Sequence, residues 1–137
     1  FIHHITNNHA FILMGDCNAE SNSSEIKTIL DKNMVDTFAE SNPDSSGFTW
    51  DPNTNENIKT YYQLKYYPEK TGNVYQQLEC FSRKIPKRID YIFLGPSSYL
   101  NSQKIIIKSS RVVMKKVINQ VQASDHYGIL TEIQINP

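Results

Sequence analysis

Residues 88–94 read Arg-Ile-Asp-Tyr-Ile-Phe-Leu. The β-branched and aromatic run from Ile89 to Leu94 predicts a strand that follows a basic stretch holding Arg83, Lys84, Lys87 and Arg88. Asp90 stands inside that run. A carboxylate within an apolar strand is costly unless it is paired or ligated. Two readings are open on these residues alone. Asp90 is a surface residue paired with Arg88, or it sits at a strand end and faces a cleft.

Upstream, Ala10 to Met14 is the longest apolar run, and it stops at Gly15-Asp16. Its length suits a buried strand and falls far short of the roughly 20 apolar residues of a membrane helix. Asn22 to Ser24 supply cap residues, with Glu25 at capping-box spacing from Asn22, and Ile26, Ile29 and Leu30 fall at helical spacing. One short helix is expected over about Ser24 to Lys32. Asn42 to Gly47 is turn chemistry leading into a short strand at Phe48-Thr49-Trp50, and Asp51 to Asn57 is loop. The Tyr-rich segment 60–80 has no clear period and predicts a functional or interface loop. Downstream, Lys104 to Lys108 and Arg111 to Ile118 read as consecutive strands, and Tyr127 to Ile135 closes the chain with alternating Ile129, Thr131, Ile133 and Ile135. One helix signal among five or six strand signals predicts an α/β (α+β) domain rich in strands.

The 137 residues suffice for one domain with a core. Net charge is zero, but nine of the 14 acidic residues and only two of the 14 basic ones lie in residues 1–56. The basic second part suits a phosphate-bearing ligand, although a solvated face gives the same pattern. Cys17 and Cys80 have no metal-ligand spacing, so no zinc cluster is expected. The chain opens on Phe1, which reads as a cut through a longer gene product.

Three polar clusters lie at or beside the ends of apolar strands: Gly15-Asp16-Cys17-Asn18, Arg88-Ile89-Asp90-Tyr91 and Ser124-Asp125-His126. Alternation sends Asp16 and Asn18 to one face of the first strand and Cys17 to the other. Singly, each has an ordinary explanation: a turn, a surface ion pair, a structural hydrogen bond. Together they offer carboxylate oxygens, an amide and a His–Asp pair. That set suits in-line attack of water on a phosphoester with a hard divalent cation.

In this order the clusters resemble the motifs of the endonuclease/exonuclease/phosphatase family. GDCN (15–18) resembles its GDxN motif, RIDYIF (88–93) its R-[IL]-D-Y strand, and SDHYGI (124–129) its C-terminal SDH motif. Phe48-Thr49-Trp50 is similar to the aromatic strand between the first two. The resemblance runs from about Phe11 to Ile133. It implies the C-terminal half of a DNase I-like two-sheet α/β sandwich, mostly antiparallel, with residues 1–137 as one partial domain.

The resemblance also implies roles. Asp16 would orient or deprotonate the attacking water, Asn18 would hold water or phosphate, and His126 would contact the scissile phosphoryl group. Asp90 would hydrogen-bond His126. Asp125, and also Asp16, would lie near Mg²⁺ or Mn²⁺, and Trp50 would contribute to a substrate platform. The family's metal-binding Glu, an Asn and a further His come from the first half of its fold, which this chain lacks. His3, His4 and His9 read as a helix end and its loop. The expected substrate is a phosphoester, whether a lipid head group, a small phosphodiester or a nucleic acid. A binding or scaffold domain without catalysis and a DNA- or RNA-specific endonuclease are the competing expectations.

Overall fold

Among the described residues, alternation of buried and exposed side chains along the apolar runs builds five strands, with three short helices between them. The structure, a computed structural model, describes residues 9–58 and 85–137. In chain order these are β1 (Phe11–Asp16), α1 (Ser24–Leu30), β2 (Val35–Asp36), α2 (Thr37–Ser41), β3 (Asp90–Gly95), α3 (Ser98–Asn101), β4 (Ile105–Val113) and β5 (Gly128–Ile135). One antiparallel sheet has the order β1-β3-β2, and β4 and β5 form a second. The fold is therefore α+β and mostly antiparallel, as the sequence predicts. No helix among the described residues is long and apolar enough to cross a membrane. The Tyr-rich segment, Cys80, Arg83, Lys84, His3 and His4 lie outside the described residues.

β3 is the central strand, and its two faces meet different partners. Tyr91 and Phe93, with ring centroids 5.1 Å apart, turn to the side of α1 and join Ala19, Ile26 and Met34 in the main core. Phe11, Leu13 and Cys17 of the β1 segment pack on the same cluster. Burying side chains such as Phe93 and Ile26 contributes roughly 1.5–3 kcal/mol each. Ile92 and Leu94 turn the other way and, with Ile12, Met14, Thr37, Thr131 and Ile133, line an apolar cleft of about 150 Å³. Thr131 Oγ1 stands 2.8 Å from both Thr37 Oγ1 and Ser110 Oγ, and Thr37 Oγ1 donates to Ile92 O at 2.9 Å, so α2 links the second sheet to β3.

Arg88 is spent in the interior. Its guanidinium pairs with Asp36, both side chains being less than a tenth exposed, and it lies over the rings of Tyr91 and Phe38 at 4.7 and 5.4 Å. Asp36 also caps α2 by accepting from Phe38 N and Ala39 N at 3.1 and 3.2 Å. Thus one carboxylate ties the entry to β3, the end of β2 and the start of α2 together. Gly47 passes so close to Phe38 that a Cβ there would lie 2.2 Å from the ring, at a φ of +59°. Only glycine fits that turn.

Several expected elements are different in the structure. α1 is capped by Ser23, within the expected cap span Asn22 to Ser24, its hydroxyl accepting from Ile26 N, while the capping box from Asn22 is not the cap used. The two strands expected at Lys104–Lys108 and Arg111–Ile118 are one strand, β4. A bulge at Lys108 lets it continue, because Ile107 and Ser109 face consecutive residues Ile133 and Glu132. It ends at Val113, and the next residue, Met114, has a φ of +64°. Phe48-Thr49-Trp50 makes only a single bridge, Trp50 to Lys87. Helices α2 and α3 and strand β2 carry too few residues for a periodic signal.

Replacing Arg88 by Met should leave the buried Asp36 carboxylate without its cation and lower stability by about 3–5 kcal/mol in denaturant unfolding. A loss below about 1 kcal/mol would show that the pair is not what fixes this corner.

Candidate active site at the strand ends

The antiparallel register of β1 and β3 sets Asp16 directly opposite Asp90. Two like charges in a facing cross-strand pair repel. They lie on the face that carries Ile12 and Ile92, at the polar end of the strands, where solvent and a ligand can reach them. The third member arrives from the second sheet. His126, just before β5, places Nδ1 2.9 Å from Asp90 Oδ2, with the two side chains 26% and 21% exposed. An ionised carboxylate only accepts, so Nδ1 carries the proton and Nε2 remains for a ligand. The ligand atoms of Asp16, Asp90 and His126 all lie within 4.8 Å of one another.

The local backbone presents these groups deliberately. Gly15 has a φ of +149°, which glycine adopts readily, and it turns the end of β1. Asp16 Oδ1 then accepts from Asn18 N at 2.8 Å, closing a tight turn in which Asn18 has a φ of +48°. Cys17 N donates to Ile89 O at 2.8 Å, so the turn stays attached to β3. On the other side, Ser124 Oγ accepts from His126 N at 3.1 Å and donates to Asp125 Oδ1 at 3.3 Å.

The candidate residues divide by position. Asp16, Asp90 and His126 are brought together, and Asn18 is attached to Asp16 through the turn. Asp125 is exposed and outside the three-residue group. Trp50 is half-buried, with its backbone N and O bonded to Lys87. His9 is exposed directly before β1 and is not in the group either. Asp90 and Arg88 do not pair with each other, since Arg88 goes to Asp36 and Asp90 to His126.

Two residues outside the sequence-predicted site, Asn55 in the expected loop and Thr49 in the expected short strand, hold this region. Asn55 has no exposed surface, and its Nδ2 donates to Ser124 O at 3.0 Å. Its Oδ1 accepts from Asn57 N and Ile58 N, capping the helical turn 56–58. Thr49 is equally buried and contacts the backbone of both the β3 entry and Tyr127. Neither carries a sequence signal, because an Asn in an Asn-rich loop looks like turn chemistry and a Thr between aromatics looks like strand.

The donor set fits a hard divalent cation. Among the described residues no lysine or arginine pairs with either of the two facing carboxylates, and their charge reaches the neighbouring thiol. Burial pushes the Cys17 pKa up, and the charges of Asp16 and Asp90 push it further. Removing one charge should reverse part of that effect. In a Cys80→Ser background at fixed, mildly alkaline pH, Asp16→Asn should speed alkylation of Cys17. The gain should be no more than about tenfold, one pH unit of thiolate. An unchanged rate would mean that the site's charge does not reach Cys17.

No family model matches the sequence, and a search of the curated proteins finds no match. Solved structures do match. An endonuclease/exonuclease/phosphatase family protein from Leptotrichia buccalis C-1013-b aligns with a TM-score of 0.54 and 22% identity, over 98% of this chain and 38% of that one. A 3′-5′ exonuclease, NExo, from Neisseria meningitidis aligns with a TM-score of 0.56 and 17% identity, over 98% and 48%. A structure of the 3′ phosphatase NExo from Neisseria bound to product DNA hairpin aligns with a TM-score of 0.57 and 15% identity, over 98% and 48%. At these identities the likeness is one of fold, and the chain has the DNase I-like fold of these proteins. It spans less than half of the length of each.

Proposed function

We propose that this chain carries part of the active site of a metal-dependent phosphoester hydrolase. The observation that supports the reading best is the convergence of Asp16, Asp90 and His126 within 4.8 Å at the polar strand ends. The fold shared with nuclease and phosphatase structures supports it independently.

In this reading Asp16 orients the attacking water and accepts its proton, with Asn18 beside it to hold water or a phosphate oxygen. His126, fixed by Asp90 through Nδ1, uses Nε2 to stabilise the charge that develops on the phosphoryl group. The residues that would hold Mg²⁺ or Mn²⁺ are Asp16 and Asp90, with Asp125 acting through water. Such a cation keeps several waters and, when bound, neutralises phosphate charge. Trp50 would contribute an aromatic wall to the substrate site. The remaining groups, a metal-binding Glu among them, would come from the other half of the sandwich, whose side chains would also cover the apolar cleft at Ile12 and Met14. We place the described residues in one partial domain on that ground.

In the intact protein, Asp16→Ala and His126→Ala should each lower the rate of hydrolysis of a generic phosphodiester by roughly 10²–10⁴, the span of acid–base catalysis. Chelation of divalent cations should abolish turnover. Near-wild-type rates in both variants would remove these residues from the site, and a protein that binds phosphoester without cleaving it would be a scaffold relative.

A nucleic-acid end is the substrate favoured by the names of the Neisseria structures, one an exonuclease and one bound to product DNA hairpin. Binding of a DNA oligonucleotide should then weaken steeply as salt is raised, because each neutralised phosphate releases counterions. Affinity that is flat between low and moderate salt would point to a small phosphodiester or lipid head group.

A further inference from the structure

We propose that Thr49 is the positioning residue that sets Asp90 and His126 in reach of each other. This deepens the reading of that pair given above and rests on it. Asp90 opens β3 of the three-stranded sheet, and His126 precedes β5 of the other. They are 36 residues apart in the chain, yet their side chains meet at 2.9 Å. An offset of even 1 Å between the two segments would break that hydrogen bond.

Thr49 is the residue that bonds both segments, and it has no exposed surface. Its hydroxyl accepts from Ile89 N and from Asp90 N, each at 3.1 Å. A threonine hydroxyl has two acceptor sites, which matches the two amides. Its carbonyl accepts from Tyr127 N at 2.7 Å, the residue after His126. Its own N–H donates to Lys87 O at 2.9 Å, so the residue is held at the β3 entry by backbone as well as side chain. The third strand, β2, faces only Phe93 and Leu94, so on that edge the start of β3 is bonded by Thr49, while β1 pairs with the opposite edge. The side chain fixes Asp90 and the main chain fixes His126, with one rigid residue between them. Nothing in this requires Thr49 to touch substrate.

Valine has nearly the same shape but accepts no hydrogen bond, whereas serine keeps the hydroxyl. The test uses the intact protein, ¹⁵N-labelled, as wild type, Thr49→Val and Thr49→Ser. It reads the hydrogen-bonded Nδ1 proton of His126, assigned by its loss in Asp90→Ala. Thr49→Val should lose this resonance while the amides of β4 and β5 keep their dispersion, and Thr49→Ser should retain it. A resonance unchanged in Thr49→Val overturns the inference. Its loss in Thr49→Ser as well assigns the effect to the methyl group's packing and overturns the hydroxyl's role. Should Thr49→Val not fold, hydrogen exchange in the wild type decides the matter. The Asp90 and Tyr127 amides should open as one unit, with protection equal within about twofold, and protection that differs by about tenfold or more overturns the coupling. None of these readouts needs turnover. A chain that hydrolyses nothing leaves the inference intact, and a failed inference leaves the hydrolase reading intact.

Discussion

A guanidinium removed from water has to be neutralised, and the pairing of Arg88 with Asp36 meets that demand where β3, β2 and α2 meet. The aromatic faces of Tyr91 and Phe38 cover the cation. Asp36 could not leave without uncapping α2, and Arg88 could not leave without opening the core beneath Tyr91. Tyr91 adds a further tie: its hydroxyl lies 2.7 Å from Arg88 O and 2.8 Å from Ala19 O, and burial pushes its pKa up. A buried ion pair adds little net stability against an apolar alternative, but it punishes any other arrangement of its two ends. Here that penalty fixes where β3 begins, and so where Asp90 stands.

Once β3 is fixed, the candidate site follows from sheet geometry. The period-2 alternation that turns Tyr91 and Phe93 into the core turns Asp90 to the opposite face, and the β1 register sets Asp16 beside it. A one-residue slip of either strand would turn its own carboxylate toward the main core, which its charge disfavours. The repulsion between them is tolerable at a solvated strand end, and a cation held there would relieve it. The charges that would serve the proposed phosphate chemistry also make the register unambiguous.

Several features were unreadable in the chain for physical reasons. β2 is two residues long and α3 four, shorter than any period can show. The β4 region looked like two strands because Lys108 interrupts the alternation, and a bulge absorbs that residue only when β5 is alongside. Arg88 belonged on paper to a basic run with Lys87, yet Lys87 faces Glu20 at 3.6 Å near the surface while its neighbour is buried. A strand separates neighbours in this way, but its core face is set by the partners packed against it.

The sequence by itself determined the strand-rich α+β class, the places of β1, α1, β3 and β5, and Asp16, Asp90 and His126 as candidates. Those signals are local: apolar periodicity, turn residues, and titratable groups beside apolar runs. The tertiary structure alone decided that Asp90 meets His126 and that Arg88 meets Asp36. It likewise assigned Asp16 to the same group while Asp125 stays outside it, and gave Thr49 both segments to hold. These are contacts between residues 36 or more positions apart, or choices between neighbours, and no local pattern encodes them. They exist because segments distant in the chain meet where the two sheets come together, and burial favours a partner for a polar group.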